Sequence, residues 1–301
     1  MNVLLCGDIG AADFSAWQRA LQVALPEARW LDLAAARADP AAVVAAVVAN
    51  PLPGSLAGLP NLKLIQSLWA GVDRLLADAT LPAGVPLARM VDPAMAAAMA
   101  ETALWATLAL HRGFFTYAQR QREGQWRVHA QRRADETRVS VLGRGQLGSE
   151  AARRIAQQGY RTQGWSLREG LPLAPLLAET DIVVNLLPLT PATRGLIDAS
   201  FLAALPPQAS VVNLARGGHV VDADLLAALH SGRLRHAVLD VFHTEPLPAG
   251  HAFWRHPRVT LLPHAAALTD PRSAALIAAA NLRAACDGLP LSILVDRAKG
   301  Y

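Results

Sequence analysis

Arg138-Val139-Ser140-Val141-Leu142-Gly143-Arg144-Gly145-Gln146-Leu147-Gly148 is the stretch that decides the fold. Its first five residues alternate and then run apolar, as a strand does. A helical pattern follows from Ser149 to Gln157. Between them the glycines have separate uses. Gly143 permits the tight turn, Gly145 lets the backbone approach a pyrophosphate, and Gly148 lets helix pack on strand. The helix N-terminus adds amide hydrogens and partial positive charge. A bare GxGxxG is weak evidence, but strand, turn and helix in this order, with a second strand at Arg161 to Trp165, predict a dinucleotide site. Gly143, Arg144, Gly145, Gln146, Leu147 and Gly148 are its candidate residues.

The end of the second strand speaks to which dinucleotide. An NAD site expects a carboxylate there for the adenosine ribose. This chain reads Gly164-Trp165-Ser166-Leu167-Arg168, so Ser166 stands where that carboxylate would be. A 2′-phosphate meets no repulsion at Ser166, Arg168 can pair with it, and Arg144 can assist. NADP(H) is therefore preferred and NAD(H) possible. The alternative leaves both arginines on the surface and gives the ribose to Glu169.

Working outward, strand-length apolar segments alternate with helix-length ones along the whole chain, the signature of parallel α/β architecture. Strand candidates at Val3 to Cys6, Arg29 to Leu31, Val43 to Val48, Leu62 to Gln66 and Leu87 to Met90, with a helix near Ser15 to Leu25, make one small unit. An alanine-rich stretch from Ala94 to Gln121, opened by Asp92-Pro93, predicts one long helix crossing between domains. A second series adds strands at Ile182 to Leu186, Val211 to Leu214, Ala237 to Val241 and Val259 to Leu262, and the tail after Asp270 is helical. The fold class expected is α/β, two Rossmann-like or flavodoxin-like doubly wound parallel-sheet domains separated by a cleft. Residues 1–91 with 270–301 form the substrate domain, and 92–269 the NAD(P)-binding domain.

Composition narrows the function. The chain has 301 residues, 52% of them hydrophobic, enough for sizeable cores. Glu101 interrupts the richest apolar segment, so no membrane span is expected. The start of the chain lacks a signal-peptide pattern, and Cys6 and Cys286 are too few for a disulfide framework, which leads to a cytoplasmic location. The net charge of +4 is densest at Arg120, Arg122, Arg127, Arg132 and Arg133, but that run also holds Glu123, Asp135 and Glu136 and matches no nucleic-acid-binding pattern. A solvated helix end or a subunit contact is the reading preferred over a nucleic-acid partner. His251 and His256 fit no metal-ligand spacing, and no metal is expected.

Three later segments each end a strand candidate, where open α/β sheets bind ligands. They are Val211-Val212-Asn213-Leu214-Ala215-Arg216-Gly217-Gly218, Leu239-Asp240-Val241-Phe242-His243-Thr244-Glu245-Pro246-Leu247 and Leu261-Leu262-Pro263-His264-Ala265-Ala266. In this order, behind a GxGxxG domain, they resemble the D-isomer specific 2-hydroxyacid dehydrogenase family over nearly the whole chain. Val91-Asp92-Pro93, Met99-Ala100-Glu101, Leu104-Trp105 and the change at Ser166 and Arg168 are most similar to its glyoxylate/hydroxypyruvate reductase A group. The resemblance implies NADPH-dependent reduction of a small 2-keto acid to the D-2-hydroxy acid. It implies a catalytic set of Arg216 for the substrate carboxylate and carbonyl, Glu245 supporting the histidine, and His264 as acid/base. Asp240 becomes the partner of the nicotinamide carboxamide, and Leu187, Pro188, Thr193, Leu214 and Ala215 line the cofactor site.

The chemistry needs such residues in any case. Hydride reaching C2 of a 2-keto acid leaves charge on oxygen that must be protonated, and a histidine beside a carboxylate is a natural donor. A guanidinium can hold a carboxylate bidentately and stabilise the developing charge. His243 is an alternative acid, and His111, His129, His219, His230, His236 and His256 read as ordinary surface or core hydrogen-bonders. Ser67-Leu68-Trp69-Ala70-Gly71-Val72-Asp73 is similar to the family loop whose amides hold the substrate carboxylate, so Trp69, Ala70 and Gly71 are substrate-loop candidates. Trp69 replaces the glycine of many members, and either lines the pocket, which puts larger keto acids in view, or lies in the core beneath the loop. Trp126 is similar to a residue that reaches a partner subunit in some relatives, which suggests a homodimer. A cofactor-sensing regulator without activity is the competing class.

Overall fold

The computed structural model describes residues 1–291 and 293–300. They form two compact units, Met1–Ala94 with 269–300 and Met95–Leu268.

In the first unit β1 (Asn2–Gly7), β2 (Arg29–Leu31), β3 (Ala45–Ala49), β4 (Leu64–Ser67) and β5 (Leu87–Ala88) form a parallel sheet of order β2-β1-β3-β4-β5. The two-residue period of β1 sends Val3 and Leu5 into one core and Leu4 and Cys6 into the other. Both faces are therefore covered, as a parallel sheet requires. On the first lie α1 (Ala11–Ala24), which buries Trp17, Leu21 and Ala24 at helical spacing, and the C-terminal helix Pro271–Cys286. Asp270 caps that helix by accepting from the Arg272 amide at 2.9 Å. The second core is closed by α2 (Leu33–Ala38) and α3 (Asp73–Leu76). Burial among apolar groups pushes the Cys6 thiol up to about 12, so it stays a thiol.

The second unit takes in all but the first two residues of α4 (Pro93–His111), which is long and apolar enough to cross a membrane by length and composition. Its Met99, Ala100, Ala103, Ala106 and Leu110 pack with Val139, Val141 and Ile155 in a core of this unit. The single helix expected to Gln121 is in fact two. Gly113 adopts φ 71°, a left-handed conformation that ends α4, and α5 (Phe114–Arg122) starts afresh. A Cβ at Gly113 would also stand 2.6 Å from the His129 ring.

Beyond this come β6 (Arg138–Leu142), α6 (Gln146–Ala156), β7 (Arg161–Trp165), α7 (Leu173–Leu177), β8 (Ile182–Asn185), α8 (Ala199–Ala204), β9 (Ala209–Asn213), α9 (Asp222–His230), β10 (Leu234–Leu239) and β11 (Val259–Leu261). All six strands are parallel, in the order β11-β10-β9-β8-β6-β7. Val183, Val211 and Leu239 face one core while Val184, Val212 and Val238 face the other. From β6 the chain moves outward to β7 and then returns to β8 on the other side. That reversal opens a crevice at the carboxyl ends of β6 and β8, where ligands of such sheets bind.

Candidate active site

The glycine loop lies at that crevice. Gly143 is buried with φ 109°, and a Cβ there would come within 2.5 Å of the Leu186 carbonyl beyond β8. At Gly148 a Cβ would overlap the Gly143 carbonyl oxygen at 1.9 Å, so helix and turn touch only because residue 148 is glycine. Gly145 differs, since an added Cβ would meet nothing within 4 Å. It caps α6, and among the described residues no side chain bonds the first-turn amides of Gln146, Leu147 and Gly148. Open space, free helix-end donors and a close-packed turn fit a dinucleotide pyrophosphate.

The Gly143 amide donates to the Trp165 carbonyl at 2.8 Å, setting Arg144 beside Ser166. Ser166 heads an exposed one-turn helix, Leu167–Glu169, which carries Arg168 and is closed by Gly170 at φ 64°. From the glycine loop Arg144 forms an ion pair with Glu169 of this turn, the alternative ribose ligand. In the sequence the two belong to rival cofactors, with no sign that they meet.

Leu187, Leu214 and Ala215 are buried at the ends of β8 and β9. A polar network that sequence reasoning missed shapes this edge. β8 and β9 pair in a register that sets Asn185 opposite Asn213, and Asn185 Nδ2 donates to Asn213 Oδ1 at 3.0 Å. Asn185 Oδ1 accepts from the Leu187 amide, and Asn213 Oδ1 from the Ala215 amide. Asn213 Nδ2 donates to the Arg216 carbonyl at 2.9 Å, and the buried His219 lies 3.0 Å from that carbonyl and 3.3 Å from the Pro188 carbonyl. Burial holds the His219 pKa below its usual value, which keeps the ring neutral, with one N–H to donate to either carbonyl. Thr193 Oγ1 donates to the Pro188 carbonyl at 2.7 Å, so Thr193 shapes the loop through its backbone. Gly217 completes the support. A Cβ there would come within 2.0 Å of the Phe242 backbone. Arg216, half-buried, directs Nη1 to the Ala215 carbonyl at 2.7 Å.

His264 Nδ1 and Glu245 Oε2 lie 2.7 Å apart. The other carboxylate oxygen, Oε1, accepts from the Phe242 amide at 2.8 Å. Glu245 is thus fixed at one oxygen and holds the histidine with the other, leaving Nε2 to face outward on a half-exposed ring. His264 has φ 54°, a left-handed conformation that costs about 1–2 kcal/mol outside glycine. Asp240 sustains it. Its carbonyl accepts from the His264 amide at 2.8 Å, Oδ1 accepts from the Ala265 amide at 2.7 Å, and both oxygens accept from Ala266 at 3.2 Å. The residue expected to bind a carboxamide is therefore buried and engaged with the histidine turn. His243, the alternative acid, bonds the Val220 carbonyl at 2.8 Å and lies 3.6 Å from Asp222, which also has His251 at 3.4 Å.

In the first unit, Trp69 is partly buried, with its ring edge-on to Trp17 at a centroid distance of 6.0 Å. Its amide donates to Ser67 Oγ at 3.0 Å and its carbonyl accepts from the Met90 amide at 3.0 Å. It is thus a core-braced residue, and Ala70 and Gly71 follow it on a loop fixed at both ends. Among the described residues, the Ala70 and Gly71 amides donate no hydrogen bond.

Comparison with known proteins agrees with this architecture. Residues 104–266 match the family described as D-isomer specific 2-hydroxyacid dehydrogenase, NAD binding domain. The chain is 40% identical over 272 residues to glyoxylate/hydroxypyruvate reductase A of Serratia proteamaculans, covering 85% of this chain and 87% of that one. It is 38% identical over 301 residues to the protein of that name from Klebsiella pneumoniae, covering 95% and 96%. Among solved structures, a D-isomer specific 2-hydroxyacid dehydrogenase from Xanthobacter autotrophicus in complex with NADPH and MES superposes with a TM-score of 0.91, at 41% identity and 99% and 100% coverage. An NADPH-dependent glyoxylate/hydroxypyruvate reductase from Sinorhizobium meliloti, in complex with NADP and sulfate, gives 0.89 at 33% identity, covering 100% and 99%. With a family match over more than half its length and relatives of this identity along nearly all of it, the chain belongs to the D-isomer specific 2-hydroxyacid dehydrogenases.

Proposed function

We propose that this protein is an NADPH-dependent reductase of small 2-keto acids of the glyoxylate and hydroxypyruvate type, forming the D-2-hydroxy acid. The observation that carries the reading is the 2.7 Å contact of His264 Nδ1 with Glu245, in the same unit as the glycine loop and Arg216. Bound reduced nicotinamide supplies the hydride. The guanidinium of Arg216 holds the substrate carboxylate and carbonyl oxygen and stabilises charge as it builds on that oxygen. His264 gives the oxygen a proton from Nε2, and Glu245, fixed by the Phe242 amide, keeps Nδ1–H pointed inward so that Nε2 faces the reaction. The amides of Ala70 and Gly71, on the loop after Trp69, are donors of the kind that suits a substrate carboxylate. Ser166, Arg168 and Arg144 serve the cofactor's 2′-phosphate. Residues 1–91 and 270–301 are the substrate domain and 92–269 the cofactor domain of a cytoplasmic homodimer. Trp126 and Val128, both strongly exposed, supply the apolar part of its contact.

The test is purified protein with NADPH or NADH against glyoxylate, hydroxypyruvate, pyruvate, phenylpyruvate and branched keto acids, following loss of reduced cofactor. Turnover of the two smallest polar acids with NADPH is expected, and no turnover with any acid would remove the enzyme reading. His264→Asn should lose turnover and keep cofactor binding. Activity retained in that variant would place the acid elsewhere.

A further inference from the structure

Beside the turn after β7 lie two charges that a reductase of this kind would want apart. Arg144 leaves the glycine loop beside Ser166, and its stem lies across the bare backbone of Gly164, where an added Cβ would stand 3.3 Å from Arg144 Cγ. From there the guanidinium reaches Glu169. The turn presenting Glu169 is built, not slack. The Glu169 amide donates to the Ser166 carbonyl at 3.2 Å, the Gly170 amide to Leu167 at 3.2 Å, and Trp165 Nε1 fastens the segment through the Leu171 carbonyl at 2.9 Å. The carboxylate that holds Arg144 is thus carried by the same turn that presents Ser166 and Arg168.

We propose that Glu169 is a built-in competitor for Arg144, so that this ion pair sets how strongly the protein prefers NADPH over NADH. The inference rests on the assignment of the 2′-phosphate to Arg144, Ser166 and Arg168. A 2′-phosphate must draw Arg144 off Glu169 before gaining its charge, whereas NADH leaves the pair intact. Both side chains are partly exposed, at 54% and 34%, so the pair is a weak one. An exposed pair favours its closed form over its open form by a factor of about 1.4 to 5. Apparent affinity falls by the fraction of binding sites in which Arg144 is held, which makes the competition worth roughly twofold to sixfold in the NADPH dissociation constant. NADH is untouched by it.

Isothermal titration of the full-length protein with NADPH and with NADH tests this in four forms: unaltered, Glu169→Gln, Arg144→Ala and the double variant. The expected result is that E169Q binds NADPH about two- to sixfold more tightly and NADH within twofold of the unaltered protein. R144A binds NADPH more weakly, and E169Q brings no such gain in the R144A background. If E169Q leaves NADPH affinity unchanged while R144A weakens it, the phosphate assignment stands and the competition is refuted. A gain that persists undiminished without Arg144 refutes the competition equally. If the unaltered protein prefers NADH and E169Q weakens NADH binding, Glu169 is a ribose ligand, and both this inference and the NADPH assignment fall.

Discussion

Replacing Asp240 by asparagine should damage turnover far more than cofactor binding. The buried carboxylate accepts one short contact from Ala265 and two longer ones from Ala266, and its backbone carbonyl takes the His264 amide. Asparagine keeps one oxygen, which can serve Ala265, but sets an NH2 group against the Ala266 amide. Hydrogen bonds to a charged acceptor contribute about 1.5–3 kcal/mol against about 1 for a neutral one. Weakening two or three of them costs about 2–4 kcal/mol, reduced by the smaller desolvation of the neutral side chain. The left-handed conformation at His264, itself about 1–2 kcal/mol uphill, then loses its support and the imidazole drifts. A displacement of about 1 Å at a reacting group costs about 100-fold, so kcat should fall roughly 10- to 100-fold, with KM for the keto acid and the NADPH dissociation constant within about threefold. Steady-state kinetics beside a cofactor titration, with thermal unfolding as a check on the fold, measures this. Unchanged kcat together with cofactor affinity weakened tenfold or more would refute a positioning role and return Asp240 to the nicotinamide carboxamide.

Three further outcomes can be measured on the glycine loop and on His236. Gly145→Ala should fold with an unfolding temperature near that of the unaltered protein, since its Cβ enters open space, but should bind NADPH at least tenfold more weakly by filling the pyrophosphate approach. Gly148→Ala, whose Cβ would overlap a backbone oxygen, should lose about 3 kcal/mol or more of stability, and equal unfolding temperatures for the two variants would contradict the packing argument. Acid should destabilise the protein partly through His236, whose pKa burial pushes down to about 4, with Arg235, His256 and Arg258 adding to the shift. The ring stacks on Phe115 at 4.4 Å and bonds Thr260 at 2.9 Å. Because the folded pKa lies below the ordinary value of about 6.5, the unfolded chain binds the extra proton between the two, and stability falls as pH drops through that window. Urea unfolding at pH 7.5 and pH 5 should differ by about 2 kcal/mol from this group, the other depressed histidines adding to it. A His236→Asn variant with an unaltered pH slope would show that His236 is not the source.

Much of this architecture is legible along the chain because its determinants are local. Alternation at Val139 to Leu142 and the glycine spacing after it define strand, turn and helix without reference to anything distant, and β7 runs over the residues its pattern marks. The helix break at Gly113 is not legible, since alanine and leucine before it and aromatic and polar residues after it carry no stop signal except one glycine. Its left-handed φ and the His129 ring against it come from the tertiary fold. The same distinction separates the parts of the site. Arg216, Glu245 and His264 each stand in a recognisable strand-end segment. Asn185 and Asn213 are 28 residues apart and acquire meaning only when β8 and β9 pair in register, and Asp240 shows its hold on Ala265 and Ala266 only once β10 delivers it beside the turn after β11. What the sequence announces is the residue that stands in a strand-end motif. The buried amides, carboxylate and imidazole that aim it are ordinary residue types, each made specific by a neighbour on another strand. The Arg144–Glu169 pair lies between these cases: both residues are visible near the motif, but their opposition appears only when the Gly143 amide binds the end of β7 and brings the two loops side by side.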